Sequence, residues 1–242
     1  MTHELRGNGV HCAVTQQGIA LLDTRRGRGR WRILDQVGAQ LWLEITSGVP
    51  EAAAVEELVD HWTRRGIDGS RVRTDLTAVR DELARARLLV AAERAPLPLD
   101  PPQIRFATAA PGPLGSRLAA QVGLALALTL LRCTPLRFTI ACARAAARLP
   151  GRAATVAEAE AIHAAIRRVA RAWPGRAACL EESLAAFLAC ALTGRRARWV
   201  LGASLWPQGA HAWIETDGAV VGQAPEDRVW PYVPVLRVER SN

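Results

Sequence analysis

Two periods of hydrophobic and polar positions follow one another in the first part of the 242-residue chain. Short apolar runs come first: HCAVT at 11–15, GIALLDT at 18–24 and RWRIL at 30–34, the last two separated by the Gly- and Arg-rich stretch RRGRG. Runs of this length bounded by glycine predict three strands of a small antiparallel sheet. A helical period then takes over. In DQVGAQLWLEITSG, Val37, Leu41, Trp42 and Ile45 share one face, Asp35 stands where an N-cap is needed, and Gly48 stops the helix. The next stretch, VPEAAAVEELVDHWTRRG, buries Val55, Leu58, Val59 and Trp62 and ends at Gly66. DGSRVRTDLTAVRDELARARLL repeats the pattern through Val72, Leu76, Val79, Leu83 and Ala86. Three strands and three helices within residues 1–92 predict a winged-helix-like module.

Residues 93–115 carry Pro96, Pro98, Pro101, Pro102, Pro111 and Pro113, six of the chain's 14 prolines. Such a stretch cannot continue a helix and reads as an extended linker. From 116 to 242 the chain is rich in Ala, Leu and Arg, with helices expected at 116–132, 135–149 and 155–172. Trp173-Pro-Gly-Arg breaks the third. A fourth helix follows, burying Leu180, Leu184, Phe187, Leu188 and Ala191 and stopping at Gly194. Strand-like runs at 196–204, 210–216 and 218–224 complete an α+β chain, with Asp217-Gly218 as a hairpin turn. Trp199, Trp206 and Trp230 read as core residues.

Composition narrows the function. All 31 basic residues are arginine against 23 acidic ones, a net charge of +8, and total absence of lysine points to genome-level bias. Arginines alternate with Asp and Glu along the helices, which describes a solvated face. Asp75, Asp81 and Glu82 on the helix carrying Arg71, Arg73 and Arg80 would repel phosphate, so nucleic acid is not the expected partner. The apolar run LAAQVGLALALTLL at 118–131 is shorter than the roughly 20 residues of a membrane span and reads as a core helix. Five cysteines form no CxxC pair and no zinc-like spacing, so no metal and no cofactor is expected. Their odd number and the lack of a signal-like segment favour a reducing cytoplasm.

One cysteine stands apart. In AWPGRAACLEESLAAFLACALTGRR, Cys179 follows a Pro-Gly break and opens an amphipathic helix. Free N–H groups and the macrodipole at that point favour an anion, and so a thiolate. Cys133, Cys142 and Cys190 lie inside Ala/Leu-rich helices and Cys12 in a strand, where thiols are usually inert. A thiol nucleophile needs an imidazole from another element. His211, on a strand after the helix, is the candidate; His3 and His11 lie near the terminus, and His61 and His163 lie on helices with charged neighbours. A third group should hold the ring's other nitrogen. A three-residue hairpin loop at Thr216-Asp217-Gly218 would set His211 opposite Gln223, whereas a two-residue turn would put 223 on the other face. Asp217, Glu226 and Asp227 are the fallback residues.

Two resemblances sharpen these expectations. The run "GIALLDTRRGRGRWRILDQVGAQLWLEITSG…VEELVDHW…RVRTDLTAVRDELARARLL" resembles the small peptide-binding domain of the pyrroloquinoline quinone peptide chaperone family. That resemblance implies a leader peptide added as a strand beside Arg30, Trp31, Arg32, Ile33 and Leu34, against a helix wall of Arg73, Leu76, Thr77 and Arg80. Leu76 is equally a plain core residue, and Trp31 equally hydrophobic filler. The pattern "CLEESLAAFLACALTGRRARWVLGAS…AHAWIETDGAVVGQ" resembles the B protein of lasso-peptide biosynthesis, a transglutaminase-like cysteine protease. It implies a papain/transglutaminase-like fold over 116–236 and removal of the leader by a Cys-His-Asp triad. The partners implied are a precursor peptide and a separate ATP-dependent cyclase resembling asparagine synthetase. Cys179 and His211 match the family's positions; Gln223 stands where its aspartate is usual.

Overall fold

The computed structural model describes residues 3–4, 9–89, 115–175, 177–222 and 232–240. The expected linker at 93–115 lies outside them save Gly115, which opens a helix. Four strands form the first sheet: β1 (His3–Glu4), β2 (Val10–Thr15), β3 (Gly18–Asp23) and β4 (Arg30–Asp35), in that order and antiparallel. β1 is additional to the three expected strands; two residues carry no readable period. Three helices follow, α1 (Gln36–Ser47), α2 (Glu51–Thr63) and α3 (Gly69–Arg85). Asp35 caps α1 by accepting the Gly38 N–H at 2.8 Å, and Gly48 ends it in the left-handed region. Trp62 departs from expectation: it is half-buried at the rim of a cavity and takes no part in the buried core.

Both faces of this sheet are covered. Val10, Cys12, Val14, Ile19 and Leu21 pack with Trp42 of α1 and Leu83 of α3. The alternate residues Ala13, Ala20 and Leu22 enter the core of the C-terminal half. That double burial explains why β2 and β3 read as unbroken apolar runs. Where the halves meet, the Leu136 N–H donates to the Gly27 carbonyl at 2.8 Å. Gly29, with φ +81°, has no room for a side chain: a Cβ there would stand 2.6 Å from Leu136 Cδ2.

In the C-terminal half, α7 (Cys179–Leu192) is the central helix, packed by α4 (Gly115–Cys133), α5 (Leu136–Ala147) and α6 (Val156–Arg171). Alanines at 185, 186 and 189 let neighbours come close; a Cβ on Gly123 of α4 would lie 2.6 Å from the Ala185 carbonyl. α7 also packs on a second antiparallel sheet, ordered β10 (Val233–Val238), β7 (Arg198–Leu205), β8 (Gln208–Thr216) and β9 (Ala219–Val221). A short parallel pair, β5 (Arg152–Ala153) and β6 (Arg195–Arg196), lies beside α6. β10 was not expected: Pro234 interrupts its strand signal, and the structure accommodates it on an edge strand with a register shift between Pro234 and Leu236. No described helix is long and apolar enough to cross a membrane.

The structure corrects one expectation, the place of Trp206, and bears out another, the Asp217-Gly218 turn. Leu205 pairs with Gln208, so Trp206 and Pro207 form the β7–β8 turn, joined by a cis peptide, and Trp206 is 80% exposed where a core residue was expected. Thr216 pairs with Ala219, so the β8–β9 turn has two residues, Asp217 and Gly218, with φ of 50° and 72°.

Glu158 ties α6 to the β5–β6 pair. Its carboxylate takes Arg152 and Arg195, the latter at 3.1 Å, and completes a reciprocal cap with Thr155. The Arg152 guanidinium and the Thr155 N–H hold the carboxyl well below the usual carboxylate range. A carboxyl depressed in the folded state contributes stability that is complete above the unfolded-state value and lost as pH falls. Glu158→Gln should therefore destabilise by about 1 kcal/mol near neutral pH, a figure limited by solvent screening of the ion pairs. The gap between thermal melts of wild type and variant should narrow steadily as pH falls below about 4, a change that pH-independent packing would not show.

Candidate active site

Cys179 is the first residue of α7, preceded by extended Ala178. The Ala178 N–H donates to Glu181 Oε2 at 3.0 Å, so Glu181, one turn inside the helix, fixes how the chain enters it. One turn after the cysteine, Ser183 accepts the Trp199 indole N–H at 3.1 Å, which marks the line of α7 facing β7. Cys179 stands on that same line, since residues four apart share a helix face. Its side chain is half-buried. Burial pushes the Cys12 and Cys190 thiols up to about 12, which removes them as nucleophiles. Cys133 is exposed at the C-terminal end of α4 and Cys142 half-buried within α5, neither at a helix start.

His211 lies on β8, opposite Gly202 of β7. Its ring stacks on Trp213 at 5.9 Å between centroids and meets Tyr232 at 5.3 Å. Alternation along β8 sorts the side chains. Ala212 and Ile214 join the core that contains α7, whereas Trp213 clusters with Val200, Val220 and Tyr232 on the other face, with the imidazole stacked on it. Cys179 thus lies on the line of α7 that meets β7, whereas the His211 ring stands with the aromatic cluster on the face of β8 opposite Ala212 and Ile214. Trp213 is itself fixed: its indole donates to Glu215 at 2.8 Å, and Glu215 lies 3.9 Å from Arg237. A Cβ on Gly202 would come within 2.4 Å of that indole. Gly202→Ala should cost about 1–3 kcal/mol by overpacking. Denaturant midpoints should fall, and the Trp213 contribution to near-ultraviolet circular dichroism should change with them.

The other histidines have structural places. His11 is buried in the first sheet, His61 lies edge-on to Trp62 in α2, and His163 of α6 packs against Gly222. Beside His163, Glu160 accepts the Gly222 N–H at 2.9 Å, and burial raises its carboxyl above the usual range.

For the third role, Gln223, Glu226 and Asp227 lie outside the described residues. The observed register, Ile214 with Val221, is offset by one from the arrangement that would set His211 against Gln223. Asp217 is excluded by distance. It sits exposed at the hairpin tip, six residues along from His211, roughly 20 Å at strand rise. Tyr232 and Gly202 contribute to the site without having been singled out from sequence, because each acts through a tertiary neighbour; Glu181 was missed although its partner, the Ala178 N–H, lies only three residues away.

On the first module, β4 pairs with β3 alone among the described strands, leaving its other edge open. Arg30 and Arg32 line a cleft there. Trp31 instead packs against the core of the C-terminal half, the filler role, and Leu34 turns toward the α1–α3 core. Ile33 is half-buried in the same strand. The expected helix wall is shifted. Arg73 pairs with Glu56 of α2, Arg80 with Asp81 and, at 4.0 Å, Glu51, and half-buried Thr77 lies between them. Leu76 is 2% exposed yet lines a cavity with Val72, Asp75 and Val79, so these residues with Glu82 and Arg85 form the wall beside β4.

Residues 120–237 match the family model described as the transglutaminase-like superfamily. No curated protein and no solved structure matches the chain. The matched region runs from α4 into β10 and includes both Cys179 and His211. The C-terminal half is accordingly a transglutaminase-like domain of α+β fold, and that fold supports cysteine-dependent catalysis.

Proposed function

We propose that the protein is a leader peptidase of ribosomally made peptide biosynthesis, of the lasso-peptide kind. The N-terminal module takes the precursor's leader as an added strand along the open edge of β4, and the transglutaminase-like domain cleaves the leader from the core. The observation that carries this reading is Cys179, half-buried at the first position of a helix enclosed by a transglutaminase-like domain. The Cys179 thiolate attacks the scissile carbonyl while its own backbone N–H steadies the developing oxyanion. The C–N bond then breaks, with His211 supplying the proton to the leaving amine of the core. Water hydrolyses the thioester, releasing the leader as a free acid and restoring the thiol.

Tethering by the first module raises the effective concentration of the scissile bond, so cleavage should depend on the leader even though the bond is chemically ordinary. A precursor peptide encoded beside the gene should be cut at one position, and the same peptide lacking the leader's recognition segment should be cut about a hundredfold more slowly. Equal rates would dismiss leader recognition. A cyclase resembling asparagine synthetase is the proposed downstream partner, taking the freed core amine. An acyltransferase using the same thiol is the second reading, favoured by the fold itself; mass spectrometry separates the two, since an amine in place of water leaves an amide on the leader.

A further inference from the structure

The groove between β4 and α3 changes character along its length. At one end, Trp62, Ile67, Val72, Leu76 and Val79 line a cavity of about 320 Å³ beside Asp35. At the other, a cleft of about 930 Å³ is lined by Arg25, Arg26, Arg28, Arg30, Arg32, Arg85 and Arg87, against two acids, Asp23 and Glu82. Both acids are occupied: Asp23 pairs with Arg25 at 2.7 Å, and Glu82 with Arg32 at 3.5 Å. Among the described residues, Arg26, Arg28, Arg30 and Arg87 form no ion pair with a carboxylate, which leaves a concentrated positive field in a concave site.

Arg28 also lines a third cavity, of about 330 Å³, with Leu131, Leu136, Leu180 and Glu181. Leu180 and Glu181 are the residues directly after Cys179. The basic end of the groove is therefore the end that opens toward the thiol, across the turn pinned by Gly27 and Gly29 against α5. β4 runs from Arg30 at the basic end to Asp35 at the apolar end. A peptide whose scissile end must leave toward Cys179 thus runs the opposite way, antiparallel to β4.

We infer that the groove selects a peptide of fixed polarity: an apolar anchor first in sequence, seated at Trp62 and Leu76, followed by an acidic segment paired with Arg26, Arg28, Arg30 and Arg87. Arg28 then directs the chain into the cavity beside Cys179. The inference rests on the leader-binding reading and adds to it the chemistry and order of the ligand. Strand addition supplies the backbone pairing, and the arginines decide which sequences are held and which way round.

The test uses full-length protein with Cys179→Ala, so that nothing is cut, and fluorescence anisotropy with labelled synthetic peptides. One peptide carries leucine and tryptophan followed by alternating glutamate and valine; a second replaces glutamate by glutamine; a third reverses the order of the two blocks. The first should bind about tenfold more tightly than either of the others, and its affinity should fall as salt rises. Arg26→Glu with Arg30→Glu should erase that advantage, while Arg168→Glu, exposed on α6, should not, with circular dichroism confirming that each variant is folded. Equal affinity for the glutamate and glutamine peptides, indifference to block order, or tighter binding of duplex DNA through the same arginines would overturn the inference. The readout needs no thiol. Failure here with leader-dependent cleavage intact condemns the groove's proposed selectivity alone, whereas cleavage that survives loss of Cys179 condemns the peptidase reading alone.

Discussion

Cys179→Ala is expected to abolish precursor cleavage, by about a thousandfold or more in kcat/KM, while leaving affinity for the precursor unchanged. Two different places in the molecule dictate that split. The proposed leader groove lies between β4 and α3, and the thiol sits at the start of α7. Removing Sγ leaves a side chain still compatible with a helix start, and the half-buried position needs no large volume filled. Cleavage should be read by mass spectrometry and binding by anisotropy on the same preparations. A substitution that merely unfolded the protein would lower both, and circular dichroism would show it. Cys133→Ala is the matching control, since that thiol is exposed but sits at the opposite helix end, where the dipole disfavours an anion. Retained cleavage in Cys179→Ala would leave the protein as a peptide-holding module only.

What sequence reading captured and what it missed follow one physical line. Elements whose signals are local were legible: the Asp35 cap, the Gly48 stop and the Asp217-Gly218 turn all lie within a few residues of the groups that determine them. Features that depend on distant partners were not. Pro234 hides β10, because an edge strand needs only half its backbone hydrogen bonds and local propensity does not reveal which half. Trp206 looked like core on hydrophobicity, and only the register Leu205 with Gln208 shows it to be a turn residue. The same limit applied to the site. A one-residue difference in the β8–β9 turn separates His211 from Gln223 as facing partners, and a slip of one reverses every side chain. On α3, the side chains facing β4 differ from those the resemblance implied, save Leu76. Arg73 and Arg80 answer acids on α2, and it is Val72, Leu76, Val79 and Glu82 that look toward β4.

His211→Ala should lower the cleavage rate by about a hundredfold to ten-thousandfold with little change in leader affinity. Among the described histidines, His3 and His11 belong to the first sheet, His61 belongs to α2 of the first module, and His163 is wedged against Gly222; His211 alone is partly exposed on the sheet that α7 packs against. Its aromatic neighbours give the prediction a second edge. Stacked on Trp213 and beside Tyr232, the ring belongs to the face opposite Ala212 and Ile214, so a purely structural role in that cluster is the competing account. Three measurements tell them apart. A ring acting on protons gives a pH–rate profile with a limb that disappears in His211→Ala, and added imidazole restores part of the rate. The pH profile of Cys179 alkylation, followed peptide by peptide, differs between wild type and the same variant. A ring that only packs produces none of these effects, and His211→Phe would then keep full activity. Such an outcome would assign the proton transfer to a group beyond the aromatic face and leave Cys179 as the one reactive residue identified.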